Sequence, residues 1–347
     1  MKHWLSPVIL SVLLAACGSD PVPDEPFYQE QWALHYDQPF YEAYAIAPDA
    51  HIHGESTLRK YRGKGVKIAV IDVGVDSQHP EFQSNIIKTI NSRDGSADVA
   101  CIGSASCFHG TAITGVIASN INGIGLRGIA PQADIVFIKL DLNGFLSDNE
   151  ILDALNYAEA ENVDVINCSW GTGNVSPIVQ RKIDQMATAG RGGKGTIFVF
   201  AIGNQGQGLT NDESLLDSVI GVGSSDEGNL RAIYSNFGLG LDIVAPGGFT
   251  LGITTAYPAN TSTHPSHYMK AEDAQKFQGT SSSAPIVAAA VALMLEADPT
   301  LTRVDIQSIL RAHADKIGSI AYVGGKNDYY GYGKLNLDAS LVRIRNP

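Results

Sequence analysis

The chain places an aspartate, a histidine and a serine where acyl-transfer chemistry would need them. In Gly279-Thr280-Ser281-Ser282-Ser283-Ala284-Pro285 a Gly-Thr turn delivers a serine to an apolar run, Ile286 to Leu295. Such a run reads as a buried helix, so Ser281 would stand among unpaired backbone N–H groups at the positive end of a helix dipole. From Val66 to Asp72 the chain is nearly all apolar and rich in β-branching, which fits a strand buried on both faces. Asp72 would close that strand, Gly74 would permit the turn after it, and a carboxylate so placed needs a partner. His109 opens Phe108-His109-Gly110-Thr111-Ala112, again a loop entering a packed helix. An aspartate that holds an imidazole, a histidine that takes a serine proton and a serine that attacks a carbonyl make up an acyl-transfer triad.

Each residue alone has a plainer explanation. A strand-end aspartate is commonly a cap or turn residue, most histidines are satisfied structurally, and serine clusters mark loops and helix caps. The order Asp, His, Ser, each in the expected strand or helix context, is what favours catalysis.

The elements that must position these groups are legible as alternating runs. Strand-like stretches at Ile135–Leu140, Val163–Cys168, Thr196–Ala201 and Val219–Val222 alternate with helix-like stretches near Asn149–Ala160 and Ile178–Ala189. That alternation predicts an α/β fold in three layers, a mostly parallel central sheet with helices on both faces. Right-handed crossovers would gather the strand ends along one edge. With 347 residues, 44% of them hydrophobic, the chain can bury a large core. The Ala284–Ala297 run is short and reaches Glu296, so it reads as a central helix rather than a membrane span. A formal charge of −12 argues against nucleic acid as a partner and against adhesion to acidic lipid by charge.

The segments VIDVGVDSQHPEF, HGTAITGVIAS and GTSSSAPIVAAAVALML resemble the three signature regions of the subtilisin-like serine peptidases, the subtilases. GIAPQADIVFIKL, DVINCSWG and AIGNQG fall in that family's order between the second and third, and GYGKLNLDAS resembles its closing segment. The resemblance implies a serine endopeptidase acting on proteins or peptides, with Asp72 as the acid, His109 as the general base and Ser281 as the nucleophile. Ser282 and Ser283 stand where the family usually has Met and Ala. Asn204 matches the side-chain donor of the oxyanion hole, to act with the Ser281 N–H, although an Asn in this setting is also a common turn former. Ser169, Trp170 and Gly171 resemble the segment that pairs with the substrate backbone, with Gly203 on the opposite wall. Trp170 stands where Leu is more usual, Gln205 replaces a charge that some relatives carry near the pocket floor, and Ala112 replaces a second histidine outside the triad. The resemblance implies no cofactor for the chemistry and a monomer in solution. A structural Ca²⁺ is weighed against a plain turn at Asn120–Leu126, where Glu81 replaces the usual Asp. The rival reading is a subtilase-fold binding lipoprotein without turnover.

Two cysteines, Cys101 and Cys107, bracket a short Gly/Ser loop ahead of His109 and are expected to form a disulfide in an oxidising compartment. Cys168 reads as a small buried residue. At the N-terminus, Lys2 and His3 precede an apolar stretch from Val8 that ends Leu14-Ala15-Ala16-Cys17. This resembles a bacterial lipoprotein signal (residues 1–16) cleaved before a lipidated Cys17, with a polar, Pro-rich tether to residue 27 and the catalytic domain over 28–347. The expected location is the cell envelope, at the outer membrane in a Gram-negative cell because Gly18 follows the cysteine. The gap before the Asp72 strand is too short for a folded inhibitory propeptide, and none is expected.

Overall fold

Ile68 to Ile71 are wholly buried, and alternate side chains enter different cores: Ile68 and Val70 join one hydrophobic cluster, Ala69 and Ile71 another. A strand with period-two side chains does this when both sheet faces are covered. The computed structural model describes residues 25–100, 107–140, 146–258 and 267–345. In chain order it begins with short helices α1 (Gln38–Tyr44) and α2 (Glu55–Lys60), then β1 (Lys67–Asp72), β2 (Ile86–Asn91), α3 (Phe108–Ala118) and β3 (Asp134–Lys139). α4 (Asp148–Ala160), β4 (Val165–Cys168), α5 (Pro177–Gly193), β5 (Ile197–Ala201), β6 (Val219–Ser225) and β7 (Leu241–Pro246) follow. A small hairpin, β8 (Thr255–Ala256) with β9 (Tyr268–Met269), precedes α6 (Thr280–Ala297), α7 (Arg303–His313) and α8 (Leu337–Arg345).

The large sheet has seven parallel strands in the order β2-β3-β1-β4-β5-β6-β7. After β1 the chain crosses to one side of the sheet, and after β4 it crosses to the other, so the carboxyl ends of β1 and β4 flank the point where the winding reverses. In open α/β sheets that is where ligands bind. α4 and α5 cover one face; α3 and α6 lie in the cluster on the other. The expected three-layer α/β architecture is therefore the one found, with strand limits within two residues of those read from the sequence except that β6 runs on to Ser225. β2 and β7 are additional.

α4 is fixed at its start by a capping box, in which the Ser147 hydroxyl accepts the Glu150 N–H and the Glu150 carboxylate accepts the Ser147 N–H. α5 loses helical geometry at Gly190, Arg191 and Gly192, matching the helix end expected near Ala189. α6 is apolar enough by composition to cross a membrane, yet 83% of it is buried inside the protein. It is the central helix of the domain. The chain from Glu25 onward is already part of the fold: Trp32 is fully buried and its indole N–H donates to Gly252 O at 2.7 Å. The N-terminal stretch that contains Cys17 lies outside the described residues.

Candidate active site

β1 delivers Asp72 to its carboxyl end, where the side chain is fully buried. Oδ1 accepts the Val73 N–H at 2.9 Å. The His109 Nδ1 lies 2.8 Å from Oδ1 and 3.0 Å from Oδ2. A carboxylate is acceptor only, so this contact places a proton on Nδ1 and leaves Nε2 with its lone pair. His109 sits in the first turn of α3 and keeps 25% of its side chain exposed. Burial opposes protonation of the ring, but the charge of Asp72 and its hydrogen bond prevail, and the pKa is raised above the usual 6.5. Gly110 lets α3 approach this closely, since a Cβ there would lie 2.2 Å from Gly74 O.

Ser281 is in the first turn of α6, which packs directly against α3. Gly279 caps it with φ +119°, a backbone region open to glycine and strained for other residues. Unlike Ser281, both neighbouring serines are fully buried. Ser282 Oγ donates to Gly279 O at 2.7 Å and Ser283 Oγ donates to Ala245 O at 3.0 Å, so these two hydroxyls are spent on structure. Ser281 Oγ donates to Ser169 O at 3.1 Å, and Ser169 Oγ donates back to Ser281 O at 3.0 Å. The second bond is possible because Pro285, four residues on, has no N–H for that carbonyl. The geometry thus joins Asp72 to His109 and Ser281 to Ser169. Among the described residues no hydrogen bond joins Ser281 to His109.

Asn204 follows β5. Its Oδ1 accepts both the Thr280 N–H at 2.9 Å and the Thr280 hydroxyl at 3.0 Å, while Thr280 Oγ1 accepts the Gly203 N–H at 3.1 Å. This network fixes the amide orientation and leaves Nδ2, a donor, on an exposed residue beside Ser281. The Ser281 N–H, in the first turn of α6, has no intrahelical acceptor. Two donors beside one hydroxyl are what a developing oxyanion requires.

A cavity of about 470 Å³ opens beside Ser281. Ser169 to Gly173 form one wall, Ala201 to Gln205 the other, and Asp212 and Asn236 also line it. Ser169, Gly171 and Gly203 are therefore brought together around one space. Trp170 does more than shape a wall: it is 9% exposed, its indole N–H donates to Ile71 O at 2.8 Å, and it braces the end of β4 against β1. A second cavity of about 730 Å³ lies across the same segment, lined by Leu146, Ile151, Trp170, Thr172 and Glu213 among others. Sequence reasoning missed Asp212 and Glu213. Glu213 is fully buried, accepts the Thr172 N–H at 3.0 Å and the Thr172 hydroxyl at 2.7 Å, and its carboxyl pKa is pushed up by burial. No spacing signal marks this pair's place in the wall, because Thr172 and Gly173, which tie it there, come from the loop after β4, some 40 residues earlier in the chain.

The Asn120–Leu126 loop wraps two glutamates. Glu25 accepts the N–H groups of Gly123 at 2.8 Å and Gly125 at 3.4 Å. Glu81, fully buried, accepts the Leu126 N–H at 3.2 Å and the Tyr268 hydroxyl at 2.7 Å through Oε1. Its Oε2 is buried with no hydrogen-bond partner. An orphaned carboxylate oxygen beside a second carboxylate fits a hard cation that takes oxygen ligands. The donor set is modest, since no group of three or more Asp, Glu, His or Cys suited to a metal occurs among the described residues. Cys168 is a free, buried thiol. Cys101 lies outside the described residues, and with it the expected pairing to Cys107.

Residues 63–333 match the Subtilase family. The chain is similar to subtilisin Savinase of Lederbergia lenta, 31% identical over 297 residues that cover 85% of this chain and 95% of that protein. It is likewise similar to the subtilisin of Bacillus pumilus, 32% identical over 302 residues, with 85% and 95% covered. Among solved structures, a serine protease of Aeromonas sobria in complex with a chaperone superimposes with a TM-score of 0.80 at 21% identity, covering 93% of this chain and 67% of that one. A protease from Pseudoalteromonas arctica gives 0.74 at 24%, covering 93% and 99%. These two likenesses bear on the fold. The chain belongs to the subtilase family. It is a serine-type endopeptidase, a hydrolase whose chemistry needs no cofactor.

Proposed function

We propose that the enzyme cleaves proteins and peptides through Ser281, His109 and Asp72, with Asn204 as oxyanion donor, while tethered by lipid outside the cytoplasm. An extended substrate lies along Ser169–Gly171 as an added strand, with its side chain before the scissile bond in the cavity walled by Gly203. His109 Nε2 takes the Ser281 proton as Oγ attacks the carbonyl carbon. The resulting O⁻ is held by Asn204 Nδ2 and the Ser281 N–H, and His109 then gives its proton to the departing amine. Water repeats the sequence on the acyl-enzyme and restores the serine. The observation that carries this reading is the 2.8 Å contact between Asp72 and His109, which leaves Nε2 able to accept a proton. Its test is labelling by a fluorophosphonate serine probe, with the modified peptide mapped by mass. Label on Ser281 is expected; a correctly folded protein that takes no label would favour the non-catalytic binding lipoprotein instead.

The Leu14-Ala15-Ala16-Cys17 segment supports the lipid anchor. Wild-type protein expressed in a bacterial host is expected in the membrane fraction, and Cys17→Ser is expected to leave it uncleaved or shed it to the soluble fraction. Unchanged fractionation and unchanged mass in the variant would refute acylation. A bridge between Cys101 and Cys107 belongs to the same extracytoplasmic reading, and a free-thiol count on denatured, unreduced protein tests it.

The Glu25–Glu81 loop is proposed to hold Ca²⁺ as a structural ion. Saturation a hundredfold above Kd stabilises a fold by about 2.7 kcal/mol, which corresponds to a rise of very roughly 5 °C for a domain of this size. Thermal melts with Ca²⁺ and with chelator should differ by that order in the wild type and coincide in Glu81→Gln. Equal melting temperatures in the wild type would dispose of the site.

A further inference from the structure

We infer that the cavity beside Ser281 takes a lysine side chain of the substrate, with Asp212 as its counter-ion, so that cleavage after lysine is preferred to cleavage after apolar residues or arginine. The inference deepens the proposed protease function and rests on it. Asp212 lines this cavity together with Ser281, Asn204 and Gly203, and is itself only 4% exposed. Among the described residues it makes no ion pair, and its hydrogen bonds are all to neutral groups. Oδ1 accepts the Ser214 N–H at 3.0 Å and the Ser214 hydroxyl at 2.6 Å; Oδ2 accepts the Gly173 N–H at 2.9 Å. A carboxylate has about four acceptor sites, so Oδ2 retains one.

The carboxylate lines the cavity together with Gly171, and only glycine fits at that position, since a Cβ there would lie 2.7 Å from Asp212 Oδ2. The other polar groups in the lining, such as Gln205, Gln207, Asn236 and Thr172, are neutral, and among the described residues no lysine, arginine or histidine lines the cavity. A buried carboxylate without a cation, in the wall of a substrate pocket, favours a cationic substrate side chain. One vacant acceptor position on one oxygen suits the point charge of an ammonium group. It does not suit the two-pronged guanidinium, which binds best when both oxygens are free.

The test is a set of peptide substrates identical except for Lys, Arg, Phe or Leu before the scissile bond, hydrolysed by the purified full chain in detergent. kcat/KM for Lys is expected to exceed that for Phe by roughly tenfold or more, the scale of one charge-assisted hydrogen bond, with Arg below Lys. In Asp212→Asn the Lys-to-Phe ratio should fall about tenfold. Because that variant disturbs the Ser214 and Gly173 contacts and could fail to fold, a second measurement uses unaltered protein. n-Butylammonium should inhibit competitively at concentrations where n-butanol does not. Preference for Phe or Leu, an unchanged ratio in the variant, or equal inhibition by the two butyl compounds would overturn the inference. Serine-probe labelling separates the two levels: a protein that labels without lysine preference refutes this inference alone, and one that does not label refutes the protease reading beneath it.

Discussion

Ser281→Ala is expected to lower kcat on a peptide substrate by about 10⁶-fold, the size of loss known for the nucleophile of subtilisin rather than one obtained from this geometry. Ser282→Ala should stay within about tenfold of wild type. The contrast follows from where the hydroxyls sit. Ser281 is partly exposed and borders the cavity of about 470 Å³, whereas Ser282 is fully buried and donates to Gly279 O at 2.7 Å. Loss of the buried bond costs stability of about 1 kcal/mol, not chemistry. Kinetics on both variants, with a thermal melt for each, check this. Comparable losses in the two, or a nearly active Ser281→Ala, would remove Ser281 from the nucleophile's role.

Asp72→Asn is expected to reduce kcat by about 10⁴-fold with the fold intact, again a magnitude established for such triads elsewhere. The carboxylate fixes which ring nitrogen of His109 bears the proton. An amide can set an N–H against Nδ1, which moves the ring proton to Nε2 and removes the base. The same substitution should move the acid limb of the pH profile. His109 must be neutral to take a proton, so activity falls as pH drops through its pKa, which stands above 6.5 in the intact protein. Without the Asp72 charge, desolvation acts unopposed and the limb moves to lower pH. For stability the sign is opposite: a raised histidine pKa stabilises the fold fully below 6.5, and that contribution is lost as pH rises through the folded pKa. A pH–kcat/KM profile for both proteins measures the shift, and an unmoved limb or an undiminished kcat would contradict the assigned role.

The parts of the fold legible in the sequence are those where burial alone sets composition. β1 and α6 are apolar on every side because they lie between layers, and both stand out as unbroken runs. β2 was not legible because it is an edge strand, mostly half-exposed, and its pattern is neither continuous nor alternating. β7 was hidden by Asp242, which interrupts an otherwise apolar run. That carboxylate is neutralised by Arg311 Nη2 at 2.6 Å, a partner nearly 70 residues later in α7. In the site, residue types and order pointed to Asp72, His109 and Ser281, and the family resemblance pointed to Asn204. Their hydrogen bonds did not follow from the sequence. That Thr280 orients the Asn204 amide, that the Ser281 hydroxyl rests on Ser169, and that Asp212 turns toward the cavity all depend on loops whose approach no local pattern encodes.

Pro285 interrupts the hydrogen-bond ladder of α6 one turn past Ser281, and the carbonyl it vacates is claimed by Ser169 from the end of β4. The position of the serine backbone is thereby referenced to the strand edge along which a peptide would lie, and not only to its own helix. A shift of that edge would draw the Ser281 backbone with it, because the two are joined by a hydrogen bond that the helix itself does not use.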